Sequence, residues 1–182
     1  MSTELEFDLT LYPSPTLRRP AEAVESFDEG LEAICAAMLR CMYRSKGVGL
    51  AGPQVGLRKR ILVLNPTGEP QDELVLVNPE LLERSGPLTL FEEGCLSFPE
   101  IFAEVERHEV CRVKAFTPKG AEIEETFDGF PGRIVQHEYD HLIGVLLVDR
   151  MSPADKLRHK ASLEDLVARY KRTRKSAEKA ER

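Results

Sequence analysis

The string His137-Glu138-Tyr139-Asp140-His141 constrains this chain more than any other part of it. Residues four apart on a helix share one face, about one turn apart. Both imidazoles can then grip one metal ion, and Glu138 can reach a water on that metal. The flanks, Arg133-Ile134-Val135-Gln136 and Leu142-Ile143-Gly144-Val145-Leu146-Leu147-Val148, are largely apolar, which makes this helix a core element. Two His and a Glu facing a core need a reason to be buried, and a metal is the commonest one. The competing reading is a polar helix face with two solvated imidazoles.

Metal-hydrolase sites usually have three protein ligands and one open position. A longer form of the motif places a third His six residues after the second, but Leu147 stands there. A second arrangement takes a carboxylate from a downstream helix. Glu164 is the contender by distance, ahead of Glu178, Glu181, Asp149, Asp155 and Asp165, in a segment whose charges suit a solvated face. The better candidate is Cys95. Cys35 and Cys41 fall in an amphipathic helix pattern and Cys111 in an alternating strand, where a thiol is a small core residue. Cys95 instead lies in Glu92-Glu93-Gly94-Cys95-Leu96-Ser97-Phe98-Pro99. Gly94 frees the backbone to aim the thiol inward, and a thiolate is a strong ligand for Zn²⁺ or Fe²⁺.

Three blocks in this chain resemble the peptide deformylase family. Gly47-Val48-Gly49-Leu50-Ala51-Gly52-Pro53-Gln54 is similar to its Gly-rich block, Glu93-Gly94-Cys95-Leu96-Ser97 to its EGCLS block, and Gln136-His137-Glu138-Tyr139-Asp140-His141-Leu142 to its QHExDHL block. They stand in the family's order and at its usual separations, and the resemblance runs from about Asp8 to about Pro153. One departure is Gly52, where the family usually has a second Ala; it adds backbone freedom beside Gln54.

The resemblance implies a hydrolase that removes the N-formyl group from the N-terminal methionine of new proteins and releases formate. It implies Cys95, His137 and His141 as metal ligands and Glu138 as the carrier of the water's proton to the departing amine. The Gln54 side chain and the Leu96 backbone N–H become the donors to the oxyanion, while Val48 and Gly49 hold the substrate. Phe91, Phe130 and Ile134 are expected near the pocket, although core packing explains each equally well. Arg133 is expected at the pocket rim or reaching water, and Asp140 is expected to pair with Arg107 or Arg112, Arg107 being favoured. The implied cofactor is one divalent metal, Fe²⁺ in the cell with Zn²⁺, Ni²⁺ or Co²⁺ acceptable to the same donors. The alternative is an HExxH metallopeptidase with Glu164 as third ligand.

The length of 182 residues suits one catalytic domain over 1–182, with a core of about 8–153 and a basic helix or tail over 154–182. Residues 1–150 carry 15 Lys and Arg against 26 Asp and Glu, whereas residues 151–182 carry 10 against 5. Lys171-Arg172-Thr173-Arg174-Lys175 reads as a solvated helix end or as a contact for an anionic surface. The resemblance implies the ribosome for the latter, since some bacterial deformylases dock there by a C-terminal helix. No apolar run reaches membrane length, the acidic N-terminus has no secretory h-region, and four Cys make no disulfide framework. The expectation is a cytoplasmic enzyme with no membrane or DNA partner.

Periodicity predicts a helix over Glu25–Arg44, with Leu31, Ile34, Cys35, Met38 and Met42 on one face. Gly47–Gln54 reads as a loop. Strands are predicted at 60–64, 74–77, 88–92, 104–106, 110–116 and 122–127, with turns at Asn65–Gly68 and Pro118–Gly120. Gly129–Gly132 is expected to precede the HExxH helix, and the last helix to open with Ser152 as N-cap and Pro153 at N1. Strands in the middle with helices at both ends give an α+β fold, antiparallel sheets packed around a central helix, and a C-terminal helix.

Overall fold

Asp28 sets the start of the first helix. Its carboxylate accepts from the Leu31 N–H at 3.0 Å, so α1 spans Glu29–Arg44 and not the longer Glu25–Arg44. The apolar face is the expected one, with Ala37 and Cys41 also buried and Ile34 packed at its edge. The structure, a computed structural model, describes residues 5–180.

Gly47–Gln54 is more ordered than a loop. It contains strand β1 (Gly49–Ala51) and a 3-10 turn over Gly52–Val55. A Cβ at Gly52 would lie 2.5 Å from the Lys59 carbonyl oxygen and 3.0 Å from that of Leu57. Here glycine serves a close backbone approach more than backbone freedom.

Strand β2 (Ile61–Leu64) is followed by two long strands, β3 (Leu74–Cys95) and β4 (Phe98–Phe116), and by β5 (Glu122–Asp128). All pair antiparallel in one five-stranded sheet of order β1-β2-β3-β4-β5. The predicted short strands at 74–77 and 88–92 are both parts of β3. Pro79 and Pro87 lie between the two predicted segments, and each sits in a register shift, between Val77 and Glu80 and between Ser85 and Leu88. Bulges absorb prolines without ending a strand. The segments 104–106 and 110–116 merge into β4 in the same way.

The motif helix α2 spans Gly129–Leu142. It includes Gly129–Gly132, which the sequence placed before it; Pro131 fits because the first turn needs no N–H from it. After α3 (Leu147–Arg150), Ser152 Oγ accepts from the Asp155 N–H at 3.0 Å and opens α4 (Pro153–Arg158). The chain breaks at His159 and continues as α5 (Lys160–Ala180), so the predicted last helix is two.

Three apolar clusters place these parts. α1 packs on Leu50, Ile61, Val63 and Val77 of the sheet. α2 buries Ile134, Val135 and Leu142 against Ala51, Leu62, Leu64, Leu76, Cys111 and Val113. The C-terminal helices seat Leu147, Met151 and Leu166 against Phe98, Ile101 and Val105, at the end of the β3–β4 hairpin. Among the described residues no helix is long and apolar enough to cross a membrane.

Candidate metal centre

β3 ends on Cys95, and only Leu96 and Ser97 separate it from β4. That tight reversal presents the thiol to the buried face of α2. Ligand atoms of Cys95, His137 and His141 lie within 4.8 Å of one another, and Cys95 Sγ is 3.3 Å from His141 Nε2. One thiolate and two imidazoles suit a borderline divalent cation. The electrostatics point the same way. Burial, then the charges of His137 and Arg107, push the His141 imidazole well below its ordinary value. Burial also opposes charge on His137, but the Cys95 sulfur and the Glu93 carboxylate outweigh it and hold this imidazole well above. An imidazole that resists protonation keeps a nitrogen lone pair free for a cation.

Glu138 is buried beside the cluster, and among the described residues its Oε2 has no hydrogen-bond partner. Burial raises its carboxyl to about 7 against the pull of His137 and Arg107. Its other oxygen lies close to β1: a Cβ on Gly49 would be 2.6 Å from Glu138 Oε1. Gln54 is fixed at both ends. Its Oε1 accepts from the Ala51 N–H at 2.8 Å, and its Nε2 points to Cys95 Sγ at 3.6 Å and Ser97 Oγ at 3.4 Å.

A cleft of about 620 Å³ opens over Cys95, His137 and Glu138. Val48, Gly49, Leu96, His137 and Glu138 line it, as do Phe91, Phe130 and Ile134. Val48, Phe91 and Phe130 are among the chain's exposed large apolar side chains, which is the character of a surface that receives an apolar group.

Behind the donors lies a buried ionic network. Glu93 Oε2 is 2.9 Å from His137 Nδ1. Arg107 donates to Glu93 through Nε at 2.7 Å and Nη2 at 3.0 Å, and to Asp140 through Nη1 at 2.9 Å. Arg133 Nη1 donates to Glu93 Oε1 at 2.8 Å. Burial alone would raise the Glu93 carboxyl; hydrogen bonds from His137 and Arg107 overcome it and hold it at about 2. A ligand imidazole held at Nδ1 by an ionised carboxylate offers its other nitrogen to a metal.

Comparison with known proteins decides the family. The family described as polypeptide deformylase matches residues 7–157. The peptide deformylase of Thermotoga petrophila is 42% identical over 166 residues, covering 91% of this chain and 99% of its own. A chloroplastic/mitochondrial peptide deformylase of Arabidopsis thaliana is 44% identical over 83% of this chain and 58% of its own. Among solved structures, the Plasmodium falciparum peptide deformylase superposes with a TM-score of 0.89 at 38% identity, covering 91% and 98% of the two chains. The chain belongs to the polypeptide deformylase family.

As a deformylase it is an enzyme that removes the N-formyl group from nascent peptides, a metal-dependent hydrolysis. Glu164, the ligand of the alternative peptidase reading, is an exposed residue of α5 paired with Lys160 at 3.9 Å and does not join the cluster. Arg107, not Arg112, meets Asp140; Arg112 pairs at the surface with Glu124 and Glu83. Arg133 meets the first expectation, the pocket rim, and not the second. It borders the cleft but is buried, donating to Glu93, the Val105 carbonyl and Thr89. Sequence reasoning passed over Glu93 and Arg150 as supports of the deformylase site. Glu93 stood in a quoted block, two residues before Cys95, where strand alternation returns a side chain to the same face. For Arg150 the sequence held no comparable indication.

Proposed function

We propose that Cys95, His137 and His141 hold one divalent cation and that Glu138 carries the proton in deformylation of N-formylmethionyl peptides. The observation that carries this reading is a buried carboxylate oxygen without a partner, on Glu138, beside three metal-type donors. The cation, when bound, lowers the pKa of a water from 15.7 to about 7. Glu138, with its carboxyl near neutrality, takes a proton from the attacking water and returns it to the departing amine. The Gln54 Nε2 and the Leu96 N–H face the charge that develops on the formyl oxygen. Gln54 needs little reorganisation for this, because the Ala51 N–H already holds its other end. Val48 and Gly49 receive the methionine side chain and backbone.

Within this reading the cation in the cell is Fe²⁺, with Zn²⁺, Ni²⁺ or Co²⁺ accepted by the same donors. A thiolate ligand needs reducing surroundings, which supports a cytoplasmic enzyme. Residues 171–177 at the end of α5 are exposed and rich in Lys and Arg, which supports a ribosomal contact. The domain reading places catalysis in about 8–153 and docking in 154–182.

The deciding experiment is anaerobic turnover of a formyl-Met peptide beside its acetyl-Met counterpart, with metal analysis of the same sample. Formyl-only activity with one bound metal is expected. Equal hydrolysis of both, or full activity in Cys95→Ala, overturns the assignment. Deleting residues 170–182 is expected to weaken co-sedimentation with ribosomes at low salt and leave peptide turnover intact; unchanged co-sedimentation removes the docking proposal.

A further inference from the structure

A file of alternating guanidinium and carboxylate groups runs from the surface to His137. Arg150, on α3, donates to Asp140 through Nη2 at 2.6 Å and Nε at 3.0 Å, a two-pronged contact that uses both carboxylate oxygens. Asp140 Oδ2 also accepts from Arg107 Nη1 at 2.9 Å. Arg107 grips Glu93 with a second two-pronged contact, and Glu93 lies against His137 Nδ1. All these groups are buried except Arg150, whose side chain is 39% exposed.

Two-pronged contacts fix the plane of both partners, so orientation passes along such a file as well as charge. With Arg150 in place, Asp140 is held in plane and presents one oxygen to Arg107. With Arg150 removed, Asp140 keeps a single guanidinium, and among the described residues Arg107 is then its one side-chain hydrogen-bond partner. Arg107 would then serve two carboxylates with one of them unanchored, and its grip on Glu93 would loosen. Arg150 also lies between Leu147 and Met151, two side chains of the apolar cluster that seats the C-terminal helices.

We propose that Arg150 is a positioning residue for His137, acting through Asp140, Arg107 and Glu93, so that the root of the C-terminal helices sets how firmly the site holds its cation. The inference rests on the assignment of Cys95, His137 and His141 as the metal donors. The competing role for Arg150 is structural, a tie between α3 and α2.

The test measures cation release from the metal-loaded enzyme into excess chelator, with Tm, kcat and KM on the same samples. Arg150→Ala is compared with Leu31→Ala, a cavity in the cluster under α1, which includes none of the three metal donors but costs stability. Arg150→Ala is expected to release the cation about tenfold faster, the low end for loss of a group supporting a ligand. Its kcat should fall with KM unchanged. Leu31→Ala should lower Tm and release the cation at the parent rate. Arg150→Lys keeps the charge without the fork and should restore only part of the retention. In a Glu93→Gln background, Arg150→Ala should add little, because the link beyond it is already broken. Should alanine prevent folding, Arg150→Gln makes the same comparison. Release from Arg150→Ala at the parent rate, or a release in Leu31→Ala that rises with its loss of Tm as much as in Arg150→Ala, overturns the link. A parent enzyme that holds no cation overturns the donor assignment instead.

Discussion

Glu93 Oε2 and His137 Nδ1 are 2.9 Å apart across 44 residues of chain, joining the strand that ends on the thiol to the helix that carries both imidazoles. The contact does two things. It fixes the His137 ring, and it lets Arg107 and Arg133 share the carboxylate that faces them. Glu93→Ala is expected to lower metal affinity about 10–100-fold, as loss of such supporting groups does. It also leaves two buried guanidiniums short of a partner, with a stability loss of about 3–5 kcal/mol. Metal titration and urea unfolding check the two effects separately. Unchanged affinity would mean that the carboxylate serves folding alone.

Glu138→Gln separates metal binding from proton transfer. The amide occupies the same space and is not a metal donor in the proposed set, so bound metal should stay near one per chain. Turnover of a formyl-Met peptide should fall about 10²–10⁴-fold, the usual contribution of a positioned acid or base. Metal analysis with steady-state kinetics is the measurement, and retained turnover would remove Glu138 from the reaction.

The same substitution makes a pH prediction for the metal-free protein. Burial raises the Glu138 carboxyl from 4.5 to about 7. A carboxyl with a raised value in the folded state binds its proton more tightly there than in the unfolded chain. Its stabilising contribution is complete below pH 4.5 and is lost as pH rises through about 7. Between pH 4 and pH 8 the stability of Glu138→Gln relative to the parent should therefore rise, by on the order of 3 kcal/mol. Urea midpoints of chelator-treated parent and variant across that range test it; a difference independent of pH would contradict the shift.

Much of this was legible in the sequence because the chemistry is local. The spacing of His137 and His141 needs only helix geometry, and the block at Gly94-Cys95 names a thiol that core packing does not explain. The α1 face followed from period alone. What escaped was non-local or irregular. The segments 74–77 and 88–92 read as separate strands because no sequence rule shows that a partner strand will accommodate bulges between them. The 3-10 turn at Gly52–Val55 depends on the approach of Leu57 and Lys59, which only the fold supplies. The ionic partners of Arg133 and Arg150 were not legible either, since those carboxylates lie 40 and 10 residues away.

Gln54 offers a sharper test of charge stabilisation than most donors, since its two ends have different duties. Oε1 holds the turn through the Ala51 N–H, while Nε2 faces the site. Gln54→Glu keeps an acceptor for Ala51 and replaces the donor with an oxygen. Turnover should drop about 10²–10³-fold with the metal retained. An equal drop in Gln54→Leu with a collapse of Tm only in the latter would fit this division of roles. A Gln54→Glu enzyme with parent kcat would exclude the donor role.

Gly49 is the place where the backbone comes closest to the proposed proton carrier. An added Cβ would sit 2.6 Å from Glu138 Oε1 and 2.7 Å from Ile134 Cγ2, distances that no settled side chain keeps. β1 cannot simply retreat, because Gly49 pairs with Leu64 and its neighbours Leu50 and Ala51 are fully buried. The freer partner is the Glu138 carboxylate, whose Oε2 has no hydrogen bond to hold it. Gly49→Ala is therefore expected to displace the carboxylate before it displaces the strand. A shift of about 1 Å at a catalytic group costs about 10²-fold in rate, whereas overpacking costs about 1–3 kcal/mol of stability. The variant should keep its metal, lose kcat by about 10²-fold, and unfold at a modestly lower urea concentration. Parent kcat in a stably folded Gly49→Ala enzyme would show that Glu138 tolerates the displacement and that its present position is not what catalysis requires.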